Sequence, residues 1–500
     1  MAKTSIKGHL DSVEEFERVP VPKKHWKGWG SFIGMYAGEH TAGTEFVIGP
    51  LFVAHGVSAG GLVFGLLIGN LLAVLSWAFL CAPIATRTRI TLYYMLEKIC
   101  GSKLTVIYNV VNALMFCFLA GSMIAVAATA VGAPFKNLES IMPKLTDWLP
   151  TSVEWILIVL IVGALTTIVA MFGYNRVAKF ASVAAPWMIL VFIAAAIATL
   201  ASPELGVKSI SDFWGVAKEK IWTGVNLPGQ SKFTFWHVMF FAWFCNMAMH
   251  IGMSDLSIFR YAKKWYYGFS SATGMYVGHY IAWLAAGILF SVVLVEKAQG
   301  LQVAEYLRKL AEELAANPSM ANEIMANKLP SPAPGPLAYK AAGLAGVICV
   351  VIAGWTTANP TIYRAGLALQ AIRPKWKTWR VTFVVGIITT LAACFPALVM
   401  KLLEFVALYG LILMPMGAII IMDVYVIPKM GLKSNYAAIY AKSFNLSAAV
   451  AWAVTLIVSI MLNQLLGIEI FFLGLPGWFV AAFFYLVLSW FIQKSNVRVS

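Results

Sequence analysis

Three stretches of this 500-residue chain place polar, hydrogen-bonding side chains inside apolar runs, a combination suited to holding a small polar solute and a cation. Residues 34–45 read Gly-Met-Tyr-Ala-Gly-Glu-His-Thr-Ala-Gly-Thr-Glu and set Glu39 and His40 among glycines. Residues 243–255 run from Trp243 through Asn246, His250 and Gly252 to Asp255. Residues 353–360 read Ala-Gly-Trp-Thr-Thr-Ala-Asn-Pro. An ionisable group at membrane depth costs about 2.5 kcal/mol or more, so Glu39, His40 and His250 require an account. Two accounts stand: a polar substrate and ion site, or internal hydrogen bonding between helices. Asp255, five residues before Arg260, reads as a structural ion pair near the inner face, and Glu97 and Asp423 read as reaching water at the ends of spans. The Thr356-Thr357 pair with Pro360 suits sodium, because a hard cation takes oxygen ligands and proline frees a backbone carbonyl. Threonines in membrane helices also bond to their own backbone, which is the competing reading.

The elements that must position these residues follow from composition. Hydrophobic residues make up 60% of the chain and charged residues 12%, with a mean hydropathy of +0.78. Runs of roughly 20 apolar residues, the length of one bilayer crossing, recur after Trp29. They predict an all-α integral membrane protein with about twelve spans: 29–54, 59–82, 104–132, 153–173, 180–201, 235–260, 268–296, 338–369, 381–398, 401–425, 444–466 and 468–492. Residues 1–28, with the acidic run Asp11, Glu14, Glu15 and Glu17, read as a cytoplasmic segment rather than a cleaved leader, and 493–500 as a cytoplasmic tail. With the N-terminus inside, 25 of the 37 Lys and Arg residues fall on the cytoplasmic side, Arg260 and Arg364 among them, as the positive-inside tendency requires. The net charge of +15 is then a matter of inner-leaflet lipid rather than nucleic acid. Six cysteines show no zinc or redox spacing and read as packing residues, and no phosphate loop is present to use ATP. Residues 203–234 and 299–336 read as external loops, the second carrying an amphipathic stretch from Val303 to Leu314 that is either a surface helix or a lid over the substrate path.

Irregular backbone inside a membrane is tolerated where protein or a water-filled cavity satisfies it, so the interruptions at Gly38–His40 and His250–Gly252 mark sites. They fall in the first and sixth spans. That spacing predicts a five-plus-five inverted repeat, 29–201 and 235–425, forming a ten-helix core at 29–425, with two peripheral helices in 444–492.

Several segments together resemble the nucleobase:cation symporter-1 family of cytosine and purine permeases and hydantoin and allantoin transporters. They are Arg18-Val-Pro-Val-Pro, Ile68-Gly-Asn-Leu-Leu with Thr91 and Gly101, Phe172-Gly-Tyr with Ala184-Ala-Pro, Arg260-Tyr-Ala-Lys, Trp355-Thr-Thr with Tyr363, Gly366 and Leu367, and Asp423-Val-Tyr. The resemblance implies a leucine-transporter-like fold, alternating access and a substrate site between helices 1, 3, 6 and 8. Its sodium site would lie between Ala353, Thr356 and Thr357 and the first-helix carbonyls of Ala37 and His40. Its third-helix substrate residues fall near Asn112 and Phe116. The family's sixth-helix acidic position falls on Ser257, whereas this chain carries Asp255 two residues earlier.

The functional expectation is cation-coupled, most simply sodium-coupled, uptake of a nucleobase or related heterocycle across the plasma membrane, with no enzyme activity and no obligate protein partner. Phe116 or Trp243 would stack the ring, and Glu39, His40, Asn112, Asn246, His250 and Asn359 would face its polar edge. One alternative replaces sodium with a proton on Glu39 or His250 and the heterocycle with another polar or anionic solute. Another is a membrane-embedded metal enzyme, for which no clustered ligand motif such as HExxH is present.

Overall fold

A computed structural model describes residue 10 and residues 15–135, 147–330, 333–398 and 401–497. Among these residues the chain is helical, with two isolated bridges, Lys27 to Ala262 and Ser58 to Thr223, and no strand. Nine helices among them are long and apolar enough to cross a membrane: Ala59–Thr88, Ser102–Gly132, Val153–Met171, Tyr174–Leu200, Trp265–Ala298, Pro334–Ile372, Phe405–Met430, Leu446–Leu466 and Ile470–Ser495. Shorter apolar helices, Glu45–Ala54, Phe235–Phe244 and Thr378–Ala393, supply the first, sixth and ninth of the twelve expected runs. Side chains such as Ile161, Leu190, Ile197 and Leu465 stand exposed on the outside of the bundle, where lipid rather than water is the compatible solvent. This is a multi-pass membrane protein.

The first and sixth spans are broken, for a local reason in each case. The first has a half that follows the N-terminal segment, Trp29–His40, called the inner half for its nearness to that segment, and a second, outer half, Glu45–Ala54, separated by residues 41–44. Thr41 stops the inner half by donating both its amide and its hydroxyl to the Ala37 carbonyl, at 3.1 and 2.7 Å. The sixth runs Phe235–Phe244, Met247–His250 and Leu256–Phe259. Between the last two pieces Met253 takes the left-handed φ of 68°, uncommon for a residue with a side chain. The expected interruption at Gly38–His40 therefore lies a few residues later. Gly38 is helical, and its lack of a side chain serves close packing instead: a Cβ there would stand 2.7 Å from the Ala181 carbonyl of the fifth span.

Other differences have equally local causes. The second span continues past residue 82 to Thr88 through a wide turn at Trp77–Cys81. The fifth starts at Tyr174, directly after Gly173 at φ 73° turns the chain back from the fourth span. Val303–Ala316 is a helix that buries Val303, Leu307 and Leu310 on one face, and Met325, Leu329 and Pro330 of the same loop line a wide pocket at one end of the bundle; the Ser-Pro pair at 331–332 lies outside the described residues. The N-terminal segment is more than a solvated lead-in. Glu15 is buried and accepts hydrogen bonds from Tyr261 at 2.7 Å, Tyr363 at 2.6 Å and the Tyr174 amide at 3.0 Å, with Arg260 3.6 Å away. It ties the fifth, sixth and eighth spans together at the inner end. Asp423, expected to reach water, is buried and accepts from Tyr485 and the Asn435 amide.

Gly417 of the tenth span shows how tightly the broken sixth helix is held: a Cβ there would stand 1.7 Å from the Ile251 carbonyl. Gly417→Ala is expected to cost roughly 1–3 kcal/mol, the range for overpacking a close contact. Gly60→Ala, where nothing lies within 4 Å, serves as the neutral control. Thermal unfolding of the two detergent-solubilised variants against the parent measures the difference.

Candidate functional site

The two breaks face each other across a cavity of about 50 Å³ lined by Glu39, His40, Thr44, Glu45, Asn246, His279, Thr357, Thr361 and Tyr409, with Ile48 and Val406 among the apolar members. It holds a few waters at most. On the side away from the N-terminal segment lies a wider vestibule of about 680 Å³, bounded by Val47, Pro50, Leu51, Phe241, Ala407 and Phe471. Val47 and Ile48, with Val406 and Ala407, are consecutive pairs that face the two spaces, so a thin apolar layer divides them.

Below the cavity lies an ion cluster. Arg364 has no solvent exposure and sits between two carboxylates. Its Nη1 and Nη2 donate to Glu39 at 2.5 and 3.2 Å, and its Nε and Nη2 donate to Asp255 at 3.2 and 2.8 Å. The second Asp255 oxygen accepts from Tyr36 at 2.5 Å and from the Trp77 indole at 2.7 Å. Asp255 is thus an ion-pair residue as expected, but its partner is Arg364 rather than Arg260, which turns to Glu15 and the Phe16 carbonyl. Arg260 and Arg364 are not cytoplasmic loop charges: both are wholly buried. The signal was present in the sequence, since two carboxylates in apolar spans require a cation and Arg364 lies two helical turns after Thr357.

The eighth span presents Thr357, Thr361 and Arg364 at i, i+4 and i+7, hence on one face. At its upper end Thr357 donates to the Glu39 carbonyl at 2.8 Å and lies 3.1 Å from the Ala353 carbonyl, to which Thr356 also donates at 3.0 Å. Two hydroxyls and two carbonyls from a broken helix and its neighbour meet there, an all-oxygen set suited to a hard monovalent cation. The first-helix carbonyl that accepts a hydroxyl of the eighth-span pair is that of Glu39. The Ala37 carbonyl is held by Thr41, and the His40 carbonyl faces Gly278 of the seventh span.

The structure divides the remaining expected residues. Glu39, His40 and Asn246 line the cavity. Phe116 packs edge-on against Tyr409, which does line it, with ring centroids 5.7 Å apart. Asn112 donates to the Tyr93 hydroxyl at 3.0 Å, and Tyr93 in turn donates to the Arg364 carbonyl, so Asn112 supports the ion cluster. His250 packs on Trp77 at 4.5 Å and Asn359 is buried within the eighth span; neither lines the cavity. Trp243 turns away, donating to Ser76 of the second span and stacking on Phe244. It is not among the residues that line the cavity. Glu45 and His279, to which sequence reasoning gave no role, do line it.

No family model and no curated protein matches the sequence. Solved structures do match over nearly its whole length. Mhp1, described as a nucleobase-cation-symport-1 family transporter, in a closed conformation with bromovinylhydantoin bound, superposes with a TM-score of 0.66 at 16% identity, covering 96% of each chain. The chain has the leucine-transporter-like fold. The inward-facing conformation of Mhp1 superposes less well, at 0.59 and 16% identity over 95% of this chain and 93% of that one. A substrate-bound, outward-open Na+-coupled sialic acid symporter gives 0.58 at 15% identity, covering 92% and 89%. A manganese transporter from Eremococcus coleocola gives 0.51 at 12% identity, covering 96% and 98%. All four are structures of transporters.

Arg364→Met removes the cation shared by Glu39 and Asp255, and breaking a buried pair in this way costs roughly 3–5 kcal/mol. Arg364→Lys, which has no planar fork to span both carboxylates, is expected to recover only part of that loss. Thermal unfolding of both variants, beside the charge-compensated Asp255→Asn/Arg364→Met pair, measures the coupling.

Proposed function

We propose that this chain is a secondary active symporter related to the nucleobase:cation symporter-1 family. It takes up a small neutral nitrogen heterocycle with sodium across the plasma membrane, both termini lying on the cytoplasmic side. In this reading residues 29–201 and 235–425 are the two inverted repeats of the transport core. The two helices of 444–492 are peripheral.

The observation that carries the reading is the meeting of Thr356, Thr357 and the Ala353 carbonyl with the Glu39 carbonyl at the end of the inner half-helix. A sodium ion accepted by these oxygens would pin the first span to the eighth. Glu39 lies in the same turn and lines the cavity, so the ion and the solute would share one support. The better match to the closed than to the inward-facing form of Mhp1 agrees with an inner end sealed by Glu15 and Arg364 and an open outer vestibule. His40, Asn246 and His279 supply donors and acceptors for a ring edge, and Tyr409 an aromatic face. The Glu39 carboxylate on the cavity wall disfavours an anionic solute. A heterocycle needs more than the present 50 Å³, so its entry requires the Ile48 and Val406 layer to part.

Nucleobases, hydantoins, vitamin precursors and amino acids, screened by thermal shift with and without sodium, identify the solute. Sodium and the true solute are expected to strengthen each other's binding, as reciprocal linkage demands. Thr357→Ala is expected to raise the sodium concentration giving half-maximal stabilisation by about tenfold, equivalent to ~1.4 kcal/mol. Stabilisation by the solute that is indifferent to sodium in the parent protein refutes the coupling.

A further inference from the structure

Glu45 is the first residue of the outer half of the first span, His40 the last residue of its inner half, and His279 of the seventh span stands between them. His279 Nε2 lies 3.2 Å from His40 Nδ1 and 3.8 Å from one Glu45 oxygen, and the other Glu45 oxygen accepts from the Trp283 indole. All four side chains are buried. Unlike Glu39 and Asp255, Glu45 has no Lys or Arg within ion-pair distance among the described residues.

In the tautomer with its N–H on Nε2, His279 offers one hydrogen to two acceptors. If Glu45 is ionised, the carboxylate claims that hydrogen and His40 Nδ1 loses its donor. If Glu45 carries a proton, Nε2–H is free to donate to His40. The His279–His40 spacing is within hydrogen-bond range and the His279–Glu45 spacing is beyond it. The far nitrogens, His40 Nε2 and His279 Nδ1, have no hydrogen-bond partner although both residues line the cavity. The two histidine nitrogens face each other, and among the described residues no group of three His, Cys, Asp or Glu is placed to hold a metal ion.

We propose that Glu45, with His279 and His40, is a proton-binding site that adds a co-transported proton to the cycle. The proposal rests on the symporter reading above and is separate from the sodium site at Thr356 and Thr357. The proton arrives from the outer vestibule, which Val47 and Leu51 of the same half-helix line, and binds a Glu45 carboxylate oxygen. It leaves to the inner side once the two halves of the first span move apart and the His40–His279 contact opens. Because the relay bridges the two halves, its protonation and their closure depend on each other. The titratable and charged groups facing the relay are Tyr36 and Glu39 of the first span, Cys245, His250 and Asp255 of the sixth, Arg364 of the eighth and Tyr409 of the tenth. Asp255 and Glu39 are already matched to Arg364, which leaves Glu45 as the carboxylate able to gain a proton without breaking an ion pair.

Two measurements on the full chain test this. Infrared difference spectra between mildly alkaline and mildly acidic buffer are expected to show a protonated-carboxyl band that Glu45→Gln lacks and Glu39→Gln retains. The glutamine keeps an acceptor for Trp283. A difference spectrum without the band, or one in which the band persists in Glu45→Gln, overturns the proposal. In proteoliposomes, the strongest stabiliser from the nucleobase and hydantoin screen serves as the radiolabelled probe. With sodium equal on both sides, an inward gradient of one pH unit is expected to drive about tenfold accumulation for one proton per solute. Glu45→Gln is expected to reduce that to equilibration while counterflow exchange continues. Accumulation driven by a sodium gradient but not by a pH gradient overturns the proton site and leaves the symporter reading intact. Accumulation driven by neither overturns both.

Discussion

Arg364, sealed from solvent, donates to Glu39 of the first span and Asp255 of the sixth, so one guanidinium ties together the first, sixth and eighth spans. Burying these charges is expensive, and the expense is offset only while every donor and oxygen is occupied. Tyr36 and Trp77 complete the shell of Asp255. The cluster is consequently either fully assembled or strongly unfavourable, which gives the inner end of the molecule a definite closed state. Opening that end requires separating these charges or moving the three segments together.

The broken helices are the second consequence of the same economy. A helix that ends within a bilayer leaves carbonyls and amides that lipid cannot satisfy. In the first span the Ala37 and Glu39 carbonyls are taken up by Thr41 and Thr357. The Glu39 carbonyl belongs at once to the helix end, the oxygen cluster of the eighth span and, through its own side chain, the Arg364 cluster. In the symporter proposed above, a cation, a solute and the inner seal would be linked through this one residue, and through a physically connected element rather than at a distance.

The two ends of the path are built differently. The inner end is closed by charge and by tyrosine hydroxyls on Glu15, the outer by apolar side chains between vestibule and cavity. An apolar layer parts without leaving unmatched charges, whereas the inner cluster does not.

The order of the twelve runs, the two interruptions and the Thr356-Thr357 pair were legible in the sequence, because apolar length and helix-breaking composition are local properties. Pairing was not. Asp255 and Arg364 are 109 residues apart, and nothing near either one distinguishes Arg364 from Arg260 as the partner. Direction was not legible either. Trp243 and Asn246 lie three residues apart on the sixth span, yet one leans on Ser76 and the other lines the cavity, because the break between them rotates the backbone. Glu45 and His279 acquire meaning only from each other, 3.8 Å apart across two spans. The sequence by itself determined which segments are apolar enough to cross a membrane and which two of them break, the breaks themselves falling a few residues from where it put them. Only the tertiary structure decided which face of each helix turns inward, since that depends on packing among spans that are equally apolar around their circumference.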